Sequence, residues 1–166
     1  MGWFVPGSAQ FEMPAGIDLE ARDRWFAQAI VTSPAMFRRT AGAGSLYWMS
    51  VRDSRGLHLD GGKNYKLTIP QPVPDKLFWS VTVYDAATRS QVQTDQNRAA
   101  LRSQFELKDI SGTAPVDLYF GPSAGPEGRW IKTAPGKGWF AYIRIYGPEQ
   151  AAFDKSWKPG DFVEIR

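Results

Sequence analysis

From Ser45 onward the chain alternates between apolar and polar positions. Leu46 to Asp53 reads as a strand, Asp53-Ser54-Arg55-Gly56 as a turn and Asp60-Gly61-Gly62 as another. Tyr65, Leu67 and Ile69 alternate with Lys66 and Thr68 until Pro70, which has no N–H to donate to a ladder. The clearest strand is Leu77 to Tyr84. It sets Leu77, Trp79, Val81 and Val83 on one face and Phe78, Ser80, Thr82 and Tyr84 on the other. Residues 86–115 are polar and irregular, with one short strand predicted at Gln104 to Leu107. Val116, Leu118 and Phe120 alternate again, as do Trp139, Ala141, Ile143 and Ile145 against Phe140, Tyr142, Arg144 and Tyr146. Phe120-Gly121-Pro122 and Tyr146-Gly147-Pro148 end two strands alike, and Glu149 to Phe153 predicts one or two helical turns. Trp79, Val81, Val83, Leu118, Ile143 and Ile145 hold the strict alternation positions and predict one common buried face. A one-residue slip would turn all of them outward.

The first 45 residues follow another pattern. Residues 1–16 read as an extended, aromatic lead broken by Pro6, Gly7, Pro14 and Gly16. Asp18 suits an N-cap with Glu20 in the first turn, and Leu19, Phe26, Ala29 and Ile30 share one side of a helix reaching about Val31. Ser33-Pro34 starts a shorter helix to Thr40, closed by Gly42 and Gly44. Helices first and strands afterwards predict a mainly β protein with a helical N-terminal preamble. Its divisions are an extended lead and helical connector over 1–45 and an antiparallel β-sandwich over 46–166. Residues 1–30 hold Trp3, Phe4, Phe11, Met13, Trp25, Phe26 and Ile30, more large apolar groups than a lead and one helix face need. They predict a partner: a second copy of the chain, or a separately encoded domain.

Composition narrows the chemistry. A length of 166 residues suits one domain, and 14% aromatic residues with 16 Gly and 12 Pro favour short strands and turns. There is no Cys and a single His, His58, so disulfides, thiolate catalysis, zinc ribbons and iron–sulfur ligation are excluded. No metal site and no cofactor is expected. A Ser-His-Asp triad would depend on His58, which stands between Leu57 and Leu59 beside a turn and reads as a surface residue. Net charge is +3, and the longest basic run is Arg38-Arg39, so the concentrated stripe of a nucleic-acid binder is missing. Met1 to Gly7 carry neither a basic n-region nor an apolar h-region. No window approaches the ~18 apolar residues that span a membrane. With no targeting signal, the default compartment is the cytoplasm, or an exported one if the chain is a piece of a longer protein.

Asp60-Gly61-Gly62-Lys63 and Pro135-Gly136-Lys137-Gly138 resemble phosphate loops only superficially. Both lack a following helix and a Ser or Thr after the Lys, and both read as tight turns. Ser80 has no Gly-x-Ser-x-Gly context. The stronger constellation is the second face of two strands. If they share a sheet, Ser80, Thr82, Tyr84, Tyr142, Arg144 and Tyr146, with Phe78 and Phe140, line one surface suited to a sugar or a small anion. The competing reading is packing, because tyrosine-rich strand faces are common in sandwiches. Asp85, Thr88, Arg89 and Asp95 follow the central strand. They suit either acid–base work or a structural clamp of Arg89 on Asp85 or Asp95.

Longer stretches carry a family resemblance. They include Leu59-Asp60-Gly61-Gly62-Lys63-Asn64-Tyr65, Phe78 to Asp85, Thr88-Arg89-Ser90, Val116 to Pro122 and Trp130-Ile131. Pro135 to Trp139, Arg144 to Pro148 and Trp157-Lys158-Pro159-Gly160 continue the series. In this order they resemble the bacterial family catalogued as domain of unknown function 1214, from about Leu46 to the C-terminus. The resemblance implies a jelly-roll-like β-sandwich that usually follows a domain of unknown function 1254, and it implies no reaction, cofactor or catalytic residue. Two functions from different classes follow. The first is a non-catalytic module that binds a ligand or a protein through the aromatic face. The alternative is a hydrolase acting on a sugar or ester, with Asp85 or Asp117 as acid–base and Arg89 or Arg144 stabilising charge. The enzyme needs two of those groups within reach of one point in a pocket.

Overall fold

A computed structural model describes the backbone of residues 3–4, and residues 40–110, 112, 114–123 and 125–166. The strands are β1 (Trp3–Phe4), β2 (Ser45–Ser50), β3 (Asn64–Ile69), β4 (Asp75–Asp85), β5 (Ala100–Arg102), β6 (Val116–Gly121), β7 (Trp130–Lys132), β8 (Trp139–Pro148) and β9 (Val163–Ile165). One helical turn, α1 (Gln150–Phe153), follows β8. The strands form a five-stranded sheet in the order β1-β2-β8-β4-β5 and a four-stranded sheet in the order β7-β6-β3-β9.

Alternation puts one face of each sheet against the other. The first contributes Leu46, Trp48, Trp79, Val81, Val83, Leu101, Trp139, Ala141, Ile143 and Ile145, and the second Tyr65, Leu67, Ile69, Val116, Leu118, Phe120 and Ile131. All six residues predicted to share a buried face are buried, but only Trp79, Val81, Val83, Ile143 and Ile145 lie on one sheet; Leu118, on β6, meets them from the facing sheet. Trp139 of the first sheet stacks on Phe120 of the second at 5.6 Å and meets Tyr65 edge-on at 5.7 Å, which ties the layers together. Each such large side chain removed from water contributes about 1.5–3 kcal/mol.

The two glycine turns are structural, and they dock on one another. The Gly61 N–H donates to the Lys137 carbonyl at 2.8 Å, and the buried Thr133 hydroxyl donates to the Gly61 carbonyl at 2.8 Å. Asp60 closes its own turn by accepting the Gly62 N–H at 2.8 Å. Both lysines have carboxylate partners, Lys63 with Glu164 and Lys137 with Asp85. His58 is exposed, as its neighbours implied.

The structure departs from the sequence pattern in three places. Leu77 is 64% exposed, because a register shift between Asp75 and Phe78 takes it out of the alternation that begins at Trp79. The strand expected at Gln104 to Leu107 lies instead at 100–102. There the Glu106 side chain folds back to accept from the Arg102 backbone N–H at 2.9 Å and from its guanidinium, closing a turn. β7 pairs with β6 in parallel, so the second sheet is not wholly antiparallel. The helix expected over 18–31 lies outside the described residues, as does the one expected over 34–40 except for Thr40, which is not helical. Of the lead, Trp3–Phe4 joins the first sheet as its edge strand on β2.

Candidate functional site

The two strands singled out by their second faces are hydrogen-bonded neighbours. In the β4–β8 register Phe78 lies opposite Tyr146, Ser80 opposite Arg144, Thr82 opposite Tyr142 and Tyr84 opposite Phe140. β2 extends the rows on the other side of β8, with Tyr47 opposite Arg144 and Met49 opposite Tyr142. All six ligand-binding candidates therefore share the outer face of the five-stranded sheet.

The rings pack in two contacting groups on this face. Tyr84 stacks on Phe140 at 5.3 Å and meets Tyr142 edge-on at 5.7 Å, while Phe78 stacks on Tyr146 at 4.1 Å. Tyr142 also meets Tyr47 edge-on at 6.1 Å. Arg144 lies in the middle of this layer. One of its terminal nitrogens donates to the Tyr84 hydroxyl at 2.7 Å, and its guanidinium lies 5.4 Å from the Tyr47 ring centre. Burial works against its charge, but the oxygens of Tyr146, Tyr84 and Tyr47 outweigh burial, and its pKa is raised. Burial and the neighbouring Tyr84 push the Tyr142 phenol up despite Arg144 and Arg89, so Tyr142 is a neutral hydrogen-bonding group at neutral pH. Ser80 and Thr82 are only 5% and 4% exposed. A molecule arriving from solvent therefore meets Tyr47, Tyr84, Tyr142, Arg144 and Tyr146 before either hydroxyl. Tyr47 was missed in the sequence, although it alternates with Leu46 and Trp48. Only the pairing of β2 with β8 brings it to Arg144.

The catalytic candidates are dispersed. Asp85 ends β4, five residues from Ser80 and so about 17 Å along the strand from the Arg144 row. Its carboxylate accepts from the Ala87 and Thr88 N–H groups at 2.8 and 3.0 Å and pairs with Lys137 at 3.4 Å. The Thr88 and Ala87 bonds lead the causes that lower its pKa. Asp117 stands on the second sheet, bonded to the Thr68 hydroxyl and to Lys66. The expected Arg89 clamp is not formed. Asp95 pairs with Lys132 at 2.7 Å, and Arg89, with φ at 62°, extends to 5.8 Å from the Phe140 ring centre. A cavity of about 20 Å³, room for one water, is lined by Asp85, Thr133, Lys137 and Trp139, but not by Arg89, Asp117 or Arg144. No point of that cavity therefore has two of the proposed catalytic groups in reach. Among the described residues no cluster of His, Asp and Glu has the arrangement of a metal site.

These acids set an acid limit on the fold. Burial pushes Asp53 and Glu106 up, but the Leu57 and Arg55 bonds to Asp53 and the Arg102 bonds to Glu106 leave both pKa values lowered. Asp117 is lowered chiefly by the Thr68 hydroxyl. A lowered folded-state pKa means the unfolded chain takes protons first, so this stability is present above the unfolded values and is lost as pH falls through the folded ones. Asp75, raised by burial and by Glu149, opposes the three. The urea midpoint is expected to hold from neutral pH to about 5 and to fall below about pH 4. A midpoint unchanged at about pH 3 would contradict these assignments.

The family model described as "Protein of unknown function (DUF1214)" matches residues 44–150. No curated protein matches the chain. Among solved structures, a protein from Vibrio parahaemolyticus is similar over 85% of this chain, with a TM-score of 0.66 and 21% identity. An uncharacterised protein from Burkholderia cenocepacia is similar over 99%, with a TM-score of 0.50 and 12% identity. At such identities the likeness shows the fold alone. The chain spans about a third of the length of each, 35% and 34%.

Proposed function

Since the chain belongs to the family of proteins of unknown function DUF1214, its role is to be read from its own surfaces, and we propose that it is a non-catalytic β-sandwich module binding a small ligand on the outer face of its five-stranded sheet. The carrying observation is the layer of six rings, Tyr47, Phe78, Tyr84, Phe140, Tyr142 and Tyr146, on one face around a half-buried guanidinium. Binding sites combine apolar area with a few placed polar groups, and this face has both. The dispersal of Asp85, Asp117 and Arg144 favours the module over the hydrolase. The passage of the chain from one sheet to the other at β3, β4, β6, β8 and β9 supports a jelly-roll-like form.

The test is a melting screen of neutral sugars, organic carboxylates and metal salts. A ligand at a hundred times its Kd adds about 2.7 kcal/mol, or about 5–10 °C for a chain of this size. At least one sugar or carboxylate is expected to raise the melting temperature, and Tyr142→Leu is expected to abolish the rise. A flat screen, with tyrosine ring signals that no ligand moves, would overturn the proposal. The partner for residues 1–30 belongs to the same proposal and is supported by the length of the two similar structures. Sedimentation of the same sample reads it, and a monomer that also ignores a first domain supplied in trans removes it.

A further inference from the structure

On that reading of the aromatic face, we propose that its ligand is a small organic carboxylate with a flat apolar body, its charge held by Arg144 with Arg89 as a second cation and its body lying on Tyr47 and Tyr142. Charge complementarity carries the argument. Elsewhere Arg55, Arg102, Lys63, Lys66, Lys132 and Lys137 each have a carboxylate within ion-pair distance. Among the described residues Arg144 and Arg89 have none, and neither do Arg52, Arg98, Arg129 and several lysines, but of these cations Arg144 is the one whose guanidinium carries a buried nitrogen without a partner. A guanidinium withdrawn from water without a counter-ion is costly, and phenol oxygens repay that only in part. Tyr84 takes one Arg144 nitrogen, while the buried Nε has no acceptor.

The two cations are not independent of one another. Tyr142 lies in the field of both. Arg89 reaches the same ring cluster through Phe140, which contacts Tyr84 and Tyr142. A planar carboxylate matches a guanidinium fork in two parallel hydrogen bonds, whereas a sugar hydroxyl uses one donor at a time and cancels no charge. Tyr47, the most exposed ring of the layer, lies against the Arg144 guanidinium, so a flat body attached to the carboxylate has a surface beside it.

The experiment uses the full chain with benzoate and phenylacetate as probes and benzamide and phenylacetamide as neutral isosteres, read by titration calorimetry and tyrosine ring NMR signals. The carboxylates are expected to bind about tenfold tighter than their amides, since a hydrogen bond to a charged group is worth that much. Arg144→Gln is expected to erase the preference, and Arg89→Gln to reduce it a few-fold and to weaken its salt dependence. If Arg144→Gln does not fold, Arg144→Lys serves in its place, because it keeps the charge but loses the fork and should bind several-fold more weakly. Equal binding of acid and amide, or a preference that survives both Arg144 variants, would overturn the inference. A sugar that moves the tyrosine signals where the carboxylates do not overturns it while leaving the binding face in place. Silence from every sugar and every carboxylate overturns both.

Discussion

Replacing Trp79 by alanine is expected to cost the fold about 3–5 kcal/mol, among the largest losses from any described core side chain. Trp79 is 1% exposed on the inner face of β4, opposite Ile145 of β8, and it heads the largest fully buried side chains. Its backbone is also held in place, since its N–H donates to the Ser103 hydroxyl and its carbonyl accepts the Ser103 N–H, both at 3.0 Å. The surroundings therefore cannot collapse freely into the space of an indole, and the lost transfer energy and the cavity add. For a chain of this length the melting temperature should fall by roughly 6–20 °C. Leu77→Ala is the internal control. Two positions earlier on the same nominal face, it is exposed by the register shift and should move stability by less than about 0.5 kcal/mol. Urea denaturation of the pair reads both numbers, and equal losses would place the register shift elsewhere.

Gly61→Ala should cost about 3 kcal/mol, although it adds a single methyl group. A Cβ at this position would stand 2.1 Å from the Ala134 carbonyl oxygen and 2.8 Å from that of Lys137. Both obstacles are backbone, so neither can swing aside as a side chain would. Relief requires the turns to separate, which would break the Gly61–Lys137 and Thr133–Gly61 hydrogen bonds that dock them. Gly62→Ala makes the comparison, because its Cβ would come no closer than 3.3 Å, to the Asp60 side chain. The two variants carry the same methyl one residue apart, and their melting temperatures should differ by about 5 °C or more. Coincident melting curves would show that the turns do not bear on one another.

The near-miss of Asp85 and Arg89 shows how far local reasoning reached. Four residues apart and opposite in charge, they suggested a clamp. In the fold Asp85 lies opposite Trp139 in the β4–β8 ladder, two residues from Lys137, and Lys137 takes its carboxylate. Asp95 meets Lys132 through β7, whose backbone Gln96 also binds. Tertiary pairing delivered cations that no spacing in the sequence announced. It left Arg89 over Phe140.

The sequence by itself determined which side chains go inward, from Trp79 to Ile145. Period-two alternation is a property of each strand alone and needs no knowledge of its neighbour. It determined the turns as well, and the reading of both glycine loops as turns rather than phosphate cradles. Which outer faces meet was decided only by the tertiary structure. Arg144 and Tyr84 are sixty positions apart, and Tyr47 joins them from a third strand. Burial is encoded residue by residue in hydrophobicity, whereas the company of a half-exposed side chain follows from strand order and register. Those are settled by how the two sheets close on their shared core.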